Sequence, residues 1–130
     1  MRAANGLVKK NQNPGSLSSY NSWSIEAMLP SKANVVTLAD ILSPGSEVYL
    51  STLPDAAHDQ QIKTARLVYL HGLKPILHLA ARYYSDTAAV EAYITRAVEE
   101  ANVDSLLIAG DLNQARGNLS SSYDILKTLI

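Results

Sequence analysis

Pro75-Ile76-Leu77-His78-Leu79-Ala80-Ala81 is an apolar run broken only by one histidine, and its reading decides the fold. A run this short suits a strand buried on both faces better than a helix. Downstream, Ser85 and Asp86 are N-cap candidates for a helix. Its apolar residues Val90, Tyr93, Ile94, Ala97 and Val98 recur with the spacing of one helical face. Ser105-Leu106-Leu107-Ile108-Ala109 follows as a second apolar strand, stopped by Gly110-Asp111. Apolar strand, amphipathic helix, apolar strand is the pattern of a parallel pair joined by a helical crossover. Such crossovers are right-handed.

Working outward, the alternation repeats. Toward the N-terminus, Pro54-Asp55 opens a helix that runs to His71, with Gly72 as the residue that stops it. Before it, Glu47-Val48-Tyr49-Leu50-Ser51-Thr52 is β-branched and aromatic enough for a strand. A short helix over 34–42 ends at Ser43-Pro44-Gly45, and Ser24-Ile25-Glu26-Ala27-Met28-Leu29 is the first strand, closed by Pro30. Toward the C-terminus, a loop rich in Asn, Gly and Ser leads to a last helix over 121–130.

Residues 1–21 are polar without apolar periodicity and are expected to form a flexible N-terminal tail, leaving 22–130 as the folded unit. The expected class is α/β, with four β/α units. An eight-unit (β/α)8 TIM barrel takes about 250 residues. The chain therefore reads as the N-terminal half of such a barrel. Either its C-terminal half is missing, the favoured expectation, or a homo-oligomer covers the open edges. No Gly-x-Gly-x-x-Gly and no Walker-type loop follows any strand, so the doubly wound nucleotide folds lack their fingerprints.

A formal net charge of −1 carries no electrostatic footprint for nucleic acid or anionic membrane, and neither is an expected partner. The absence of cysteine removes thiol chemistry and cysteine-ligated zinc. No apolar run approaches the roughly 20 residues of a bilayer span, and the N-terminus lacks the apolar core of a signal peptide. A cytoplasmic protein is expected. His58, His71 and His78 do not fall at ligand-pair spacings, so no metal site is expected, and no serine elbow is present.

In parallel β/α folds, ligands sit beyond the carboxyl ends of the strands. Three of the four strands carry an ionisable group at or near that end: Glu26, His78 and Asp111. In the remaining strand the position holds the hydroxyls Ser51 and Thr52. Glu26 lies among apolar neighbours, where desolvation would favour its protonated form and suit it to general-acid work. The bland alternative is a glutamate facing solvent. His78 could equally be a core histidine satisfied by a carbonyl, or a donor to a cofactor. Asp111 could cap its loop, while Gly110 would let a ligand approach the backbone.

With these residues in place, the chain resembles the methylenetetrahydrofolate reductase family, flavin enzymes built on a (β/α)8 barrel. Ser24-Ile25-Glu26-Ala27-Met28-Leu29-Pro30 is similar to that family's Ser-Phe-Glu-Phe-Phe-Pro-Pro strand. Ile76-Leu77-His78-Leu79 is similar to its His-Leu-Thr strand end, and Ile108-Ala109-Gly110-Asp111-Leu112 to its Leu-Arg-Gly-Asp-Leu-Pro. Tyr123-Asp124-Ile125-Leu126 sits where members carry a Tyr-Ala-Ser-Asp-Leu-Val-like helix start. The motifs fall in the family's order across residues 22–130.

The resemblance implies FAD as cofactor, NADH or NADPH as reductant, and hydride transfer to the small-molecule folate substrate, methylenetetrahydrofolate. It implies catalytic roles for Glu26, as general acid, and for Asp111, beside flavin and pterin. It also implies cofactor contacts from Ser51, His78 and Asp111. The chain departs from the pattern at Ala109, which replaces the arginine before Gly-Asp, with Arg82 or Arg116 as candidates to compensate. Ala27-Met28-Leu29 lacks the family's aromatics, Ala80 replaces a threonine, and the chain contains no phenylalanine. The alternative expectation is a non-catalytic β/α scaffold or partner subunit that has lost the cofactor.

Overall fold

Apolar runs separated by breakers fold as alternating strands and helices in the computed structural model, which describes residues 23–51, 58–110 and 115–130. The expected tail, the helix start at Pro54-Asp55, and Asp111 lie outside these residues. Among the described residues the strands are β1 (Ser24–Ala27), β2 (Glu47–Leu50), β3 (Lys74–Ala80) and β4 (Leu106–Ala109). The helices are α1 (Lys32–Ile41), α2 (His58–Leu70), α3 (Thr87–Ala101) and α4 (Ser122–Leu129). A short 3-10 turn, Ala81–Tyr83, follows β3.

Local chemistry sets most boundaries. Ser31 caps α1 by accepting from the Asn34 amide at 3.2 Å, while Asn34 Oδ1 accepts from the Ser31 amide at 3.1 Å. This reciprocal box starts the helix two residues before the expected Asn34, because an asparagine does the work usually done by Glu or Gln. Ser121 and Asp124 repeat the device at α4. There the Ser120 amide and its neighbours donate to the Asp124 carboxylate and hold its pKa at about 2. Asp86 rather than Ser85 caps α3. Gly72 ends α2 with a φ of +81°, a conformation that glycine adopts without a steric penalty.

β1 stops at Ala27 instead of running to Leu29. Leu29 has a φ of +42°, which turns the chain out of the strand ahead of Pro30. β2 likewise ends at Leu50, short of the expected Thr52.

The strand order is β1-β2-β3-β4, and each neighbouring pair is parallel. Each helix packs against the next, α1 on α2, α2 on α3 and α3 on α4, so the helices form one layer on one face of the sheet. Between layer and sheet lies the core. Val48, Leu50, Leu77 and Leu79 enter it from the strands, and Val35, Ile62, Val68, Val90 and Ile125 from the helices. These side chains are essentially solvent-free.

The expectation that every strand is buried on both faces fails at the sheet edges. β1 alternates exposed and half-buried, and Leu107 of β4 is 43% exposed. The helix layer covers only one face of these strands. Val98, expected on the buried face of α3, is also exposed, because that helix turns Val90, Tyr93 and Ala97 inward instead. Among the described residues no helix is long and apolar enough to cross a membrane.

The loops at the carboxyl end of the sheet lock onto each other. The Arg116 amide donates to the Arg82 carbonyl at 3.1 Å, and Arg82 Nε donates to the Ser120 carbonyl at 2.9 Å. Gly117 runs so close to Ser85 that a Cβ would overlap the Ser85 carbonyl backbone. Gly117→Ala is expected to force these loops apart and cost about 1–3 kcal/mol, as overpacking does. Urea unfolding measures the loss, and an unchanged midpoint would contradict the close approach.

Candidate functional site

Side chains of a strand alternate between faces, and residues paired in register share a face. Glu26 pairs with Tyr49, and Tyr49 with Ile76. His78 lies two residues beyond Ile76 and pairs with Leu107. Glu26, Tyr49, Ile76, His78 and Leu107 therefore project from the face that carries no helix among the described residues. Ser51, two residues after Tyr49, continues the same row at the carboxyl end of β2.

Two of the sequence-predicted residues meet there. Glu26 Oε2 lies 3.4 Å from His78 Nε2, across the width of β2. The Glu26 side chain is 63% exposed and that of His78 19%. The expected desolvation of Glu26 is thus absent: its apolar sequence neighbours turn to the helix side or lie beyond the strand end, and the carboxylate stands toward water. Tyr49 lies between the pair, its ring edge-on to the imidazole at 6.2 Å between centroids. Its hydroxyl turns away to donate to Glu47 Oε2 at 3.3 Å, and the Glu47 charge pushes the phenol pKa up.

Ser51 sits where expected. Its amide donates to the Ala27 carbonyl at 3.2 Å, extending the β1–β2 ladder by one step. This places the serine on the strand between those that carry Glu26 and His78. Gly110 follows β4 as anticipated, but its close neighbour is the chain's own Ser120–Ser122 segment. Asp111 belongs to the undescribed residues. Among the described residues, no group of three or more His, Asp or Glu side chains is placed to hold a metal ion.

Sequence reasoning missed a second polar cluster at the carboxyl end, on the helix side. Gln61 of α2 is 1% exposed. Its Nε2 donates to the Leu50 carbonyl at 3.0 Å and toward the Ser51 carbonyl at 3.5 Å, while Oε1 accepts from the Tyr93 hydroxyl. An amide is costly to bury unless its donors and acceptors are matched, and here both ends are. The signal was present: Gln61, Ala65 and Val68 share one helical face, so a glutamine occupies an apolar-face position.

His58, the first described residue of α2, is stacked on the Tyr84 ring and tilted against Tyr93, each at 4.8 Å between centroids. Burial lowers its pKa first, and the positive charges of Arg116 and Arg96 lower it further against the opposing pull of Asp59. The folded chain therefore binds this proton less readily than the unfolded chain does. Above the ordinary histidine value of 6.5 both states are neutral and its titration has no effect on stability. As pH falls below it, the unfolded chain protonates first, so stability is expected to drop until the folded state also protonates. Melting temperature followed from pH 7.5 down to about 5 should show this slope, and His58→Gln should flatten it. An equal slope in both proteins would contradict the packing of the imidazole between the tyrosines.

The arrangement offers an acid–imidazole pair and a hydroxyl along one end of a parallel sheet, over a face with Tyr49 and the exposed Leu107 beside the buried Ile76. Chemically it can hold or deliver a proton and can donate hydrogen bonds to a planar ligand. Compared with known families, the chain matches no family model.

Proposed function

We propose that the chain forms the β1–β4 half of a (β/α)8 barrel and works as a flavin oxidoreductase of the methylenetetrahydrofolate reductase type. The observation that carries the reading is the Glu26–His78 contact on the open face, since it joins the two residues that the resemblance makes functional. The sequential strand order and one-sided helix layer support the barrel, because a barrel wall repeats this arrangement. Among the described residues β1 and β4 each keep a free edge, where further strands would close the wall.

The face suits a flavin ring, which has apolar faces and one hydrogen-bonding edge. Tyr49 and Leu107 supply an apolar floor on either side of the buried Ile76, with Ser51 at its carboxyl rim beside the Glu26–His78 pair. Arg82 and Arg116, at the carboxyl end beyond β3 and β4, are the cations nearest in sequence to the strand ends where the family arginine has become Ala109. When bound, FAD would carry hydride from NADH or NADPH to methylenetetrahydrofolate. Glu26 would hold a proton on its carboxyl group and give it to the folate ring nitrogen as that ring opens. Ser51 Oγ would donate to the ring edge.

The second reading is a non-catalytic scaffold or partner subunit. The 63% exposure of Glu26 favours it, because a general acid works best where water is excluded. One measurement separates the two. The full chain, incubated with FAD and freed of excess, should keep a yellow flavin spectrum that NADH or NADPH bleaches without oxygen. A colourless protein that cannot be loaded sinks the catalytic reading.

A further inference from the structure

We infer that His78 is a positioning residue for Glu26, holding its carboxylate in place across the sheet, instead of a residue that contacts the cofactor directly. The inference rests on the reading of Glu26 as the acid group. It starts from the strand spacing. Neighbouring strands lie about 4.8 Å apart, so β1 and β3 are about 10 Å apart with β2 between them. Side chains standing straight up from β1 and β3 would not touch. Glu26 and His78 nevertheless approach to 3.4 Å, so both lean over β2 toward each other.

The imidazole nitrogen at this contact is closed off. Nε2 of His78 has less than 1 Å² of accessible surface, although the carboxylate above it is mostly exposed. A ligand arriving on the open face meets the carboxylate and the Tyr49 ring before it reaches Nε2. The chemistry agrees with the shape. Before Glu26 takes up the proton it delivers, its carboxylate is an acceptor only, and at 3.4 Å it favours a proton on the ring nitrogen that faces it. A partner on one ring nitrogen sets the tautomer and orientation of the whole ring.

On β2, Tyr49 packs its ring edge against His78 and sends its hydroxyl to Glu47. Glu47 and Lys74 lie at the amino ends of their strands, and Lys74 pairs with Asp104 at 3.3 Å. β4 contributes the uncharged Leu107 at the position paired with His78. The contact therefore joins one acid and one imidazole at the carboxyl end.

Nitrogen-15 NMR of the full chain without flavin tests the pairing directly. Wild-type protein should show a ring N–H resonance of His78 on Nε2, in slow exchange with water. Glu26→Ala should remove that slow exchange while the backbone spectrum stays folded. The same resonance in both proteins, or a proton held on Nδ1, overturns the inference whether or not flavin binds. Failure of the flavin reading shows separately, as protein that cannot be loaded with FAD.

In flavin-loaded protein, His78→Gln should slow folate reduction at least about tenfold more than it weakens FAD binding. That is a fraction of the roughly 10²–10⁴-fold a general acid supplies. A loss confined to FAD affinity would return His78 to a cofactor contact and overturn the inference.

Discussion

Under the proposed flavin reading, replacing Glu26 by Gln is expected to slow folate reduction by about 10²–10⁴-fold while leaving reduction of the flavin by NADH nearly intact. Glutamine keeps the shape of the side chain and its reach toward His78. What it lacks is the carboxyl proton. On that reading only the folate step would need the proton, because hydride transfer from the reduced nicotinamide to a bound flavin would open no folate ring. The two steps are measured apart, by anaerobic flavin bleaching with NADH and then by reoxidation with methylenetetrahydrofolate. A loss shared equally between them contradicts the acid role, since an interaction made in one transition state changes one rate. A rate unchanged in both would remove Glu26 from the mechanism altogether.

The second large effect concerns the sheet. Leu77 is fully buried, paired in register with Leu50 on one side and Leu106 on the other, beneath the helix layer. Leu77→Ala is expected to cost about 2–5 kcal/mol, the transfer energy of the lost methyl groups plus a cavity that central strands cannot close. That is a large part of the roughly 5–15 kcal/mol that holds a domain together. Leu107 is the useful control, because it projects from the opposite face and is 43% exposed. Leu107→Ala should cost less than about 1 kcal/mol in the same urea experiment. Equal costs at both positions would mean that the open face is covered in solution by further protein. The contrast thus reports on closure of the wall as well as on the core.

Much of the architecture was legible in residue order, because short-range physics writes it there. Breakers such as Pro30, Pro44 and Gly72 act within a residue or two. The apolar runs of β2 and β3 and the periodicity of α3 are local patterns. Boundaries slipped by a few residues where an unforeseen local device intervened, as with the Ser31–Asn34 box and the left-handed Leu29. Val98 was misjudged because a periodic face is wider than the stripe the neighbouring elements cover.

The site was legible only in part. The sequence alone placed Glu26, His78 and Ser51 at strand ends, since position within an apolar run marks the end of a strand. It could not say that Glu26 would face water, because a shift of one residue sends a side chain to the other face of the sheet. Nor could it bring Glu26 to His78. Their meeting depends on the parallel order β1-β2-β3 and its register, which hydrogen bonds set between segments far apart in the chain. Gln61 was hidden for the same reason: its partners, the Leu50 carbonyl and the Tyr93 hydroxyl, belong to other elements. Residue order therefore determined which elements form and which residues stand at their ends. Tertiary pairing alone decided which face stays open and which side chains touch across it, because register and alternation are properties of strands in contact, not of any one strand.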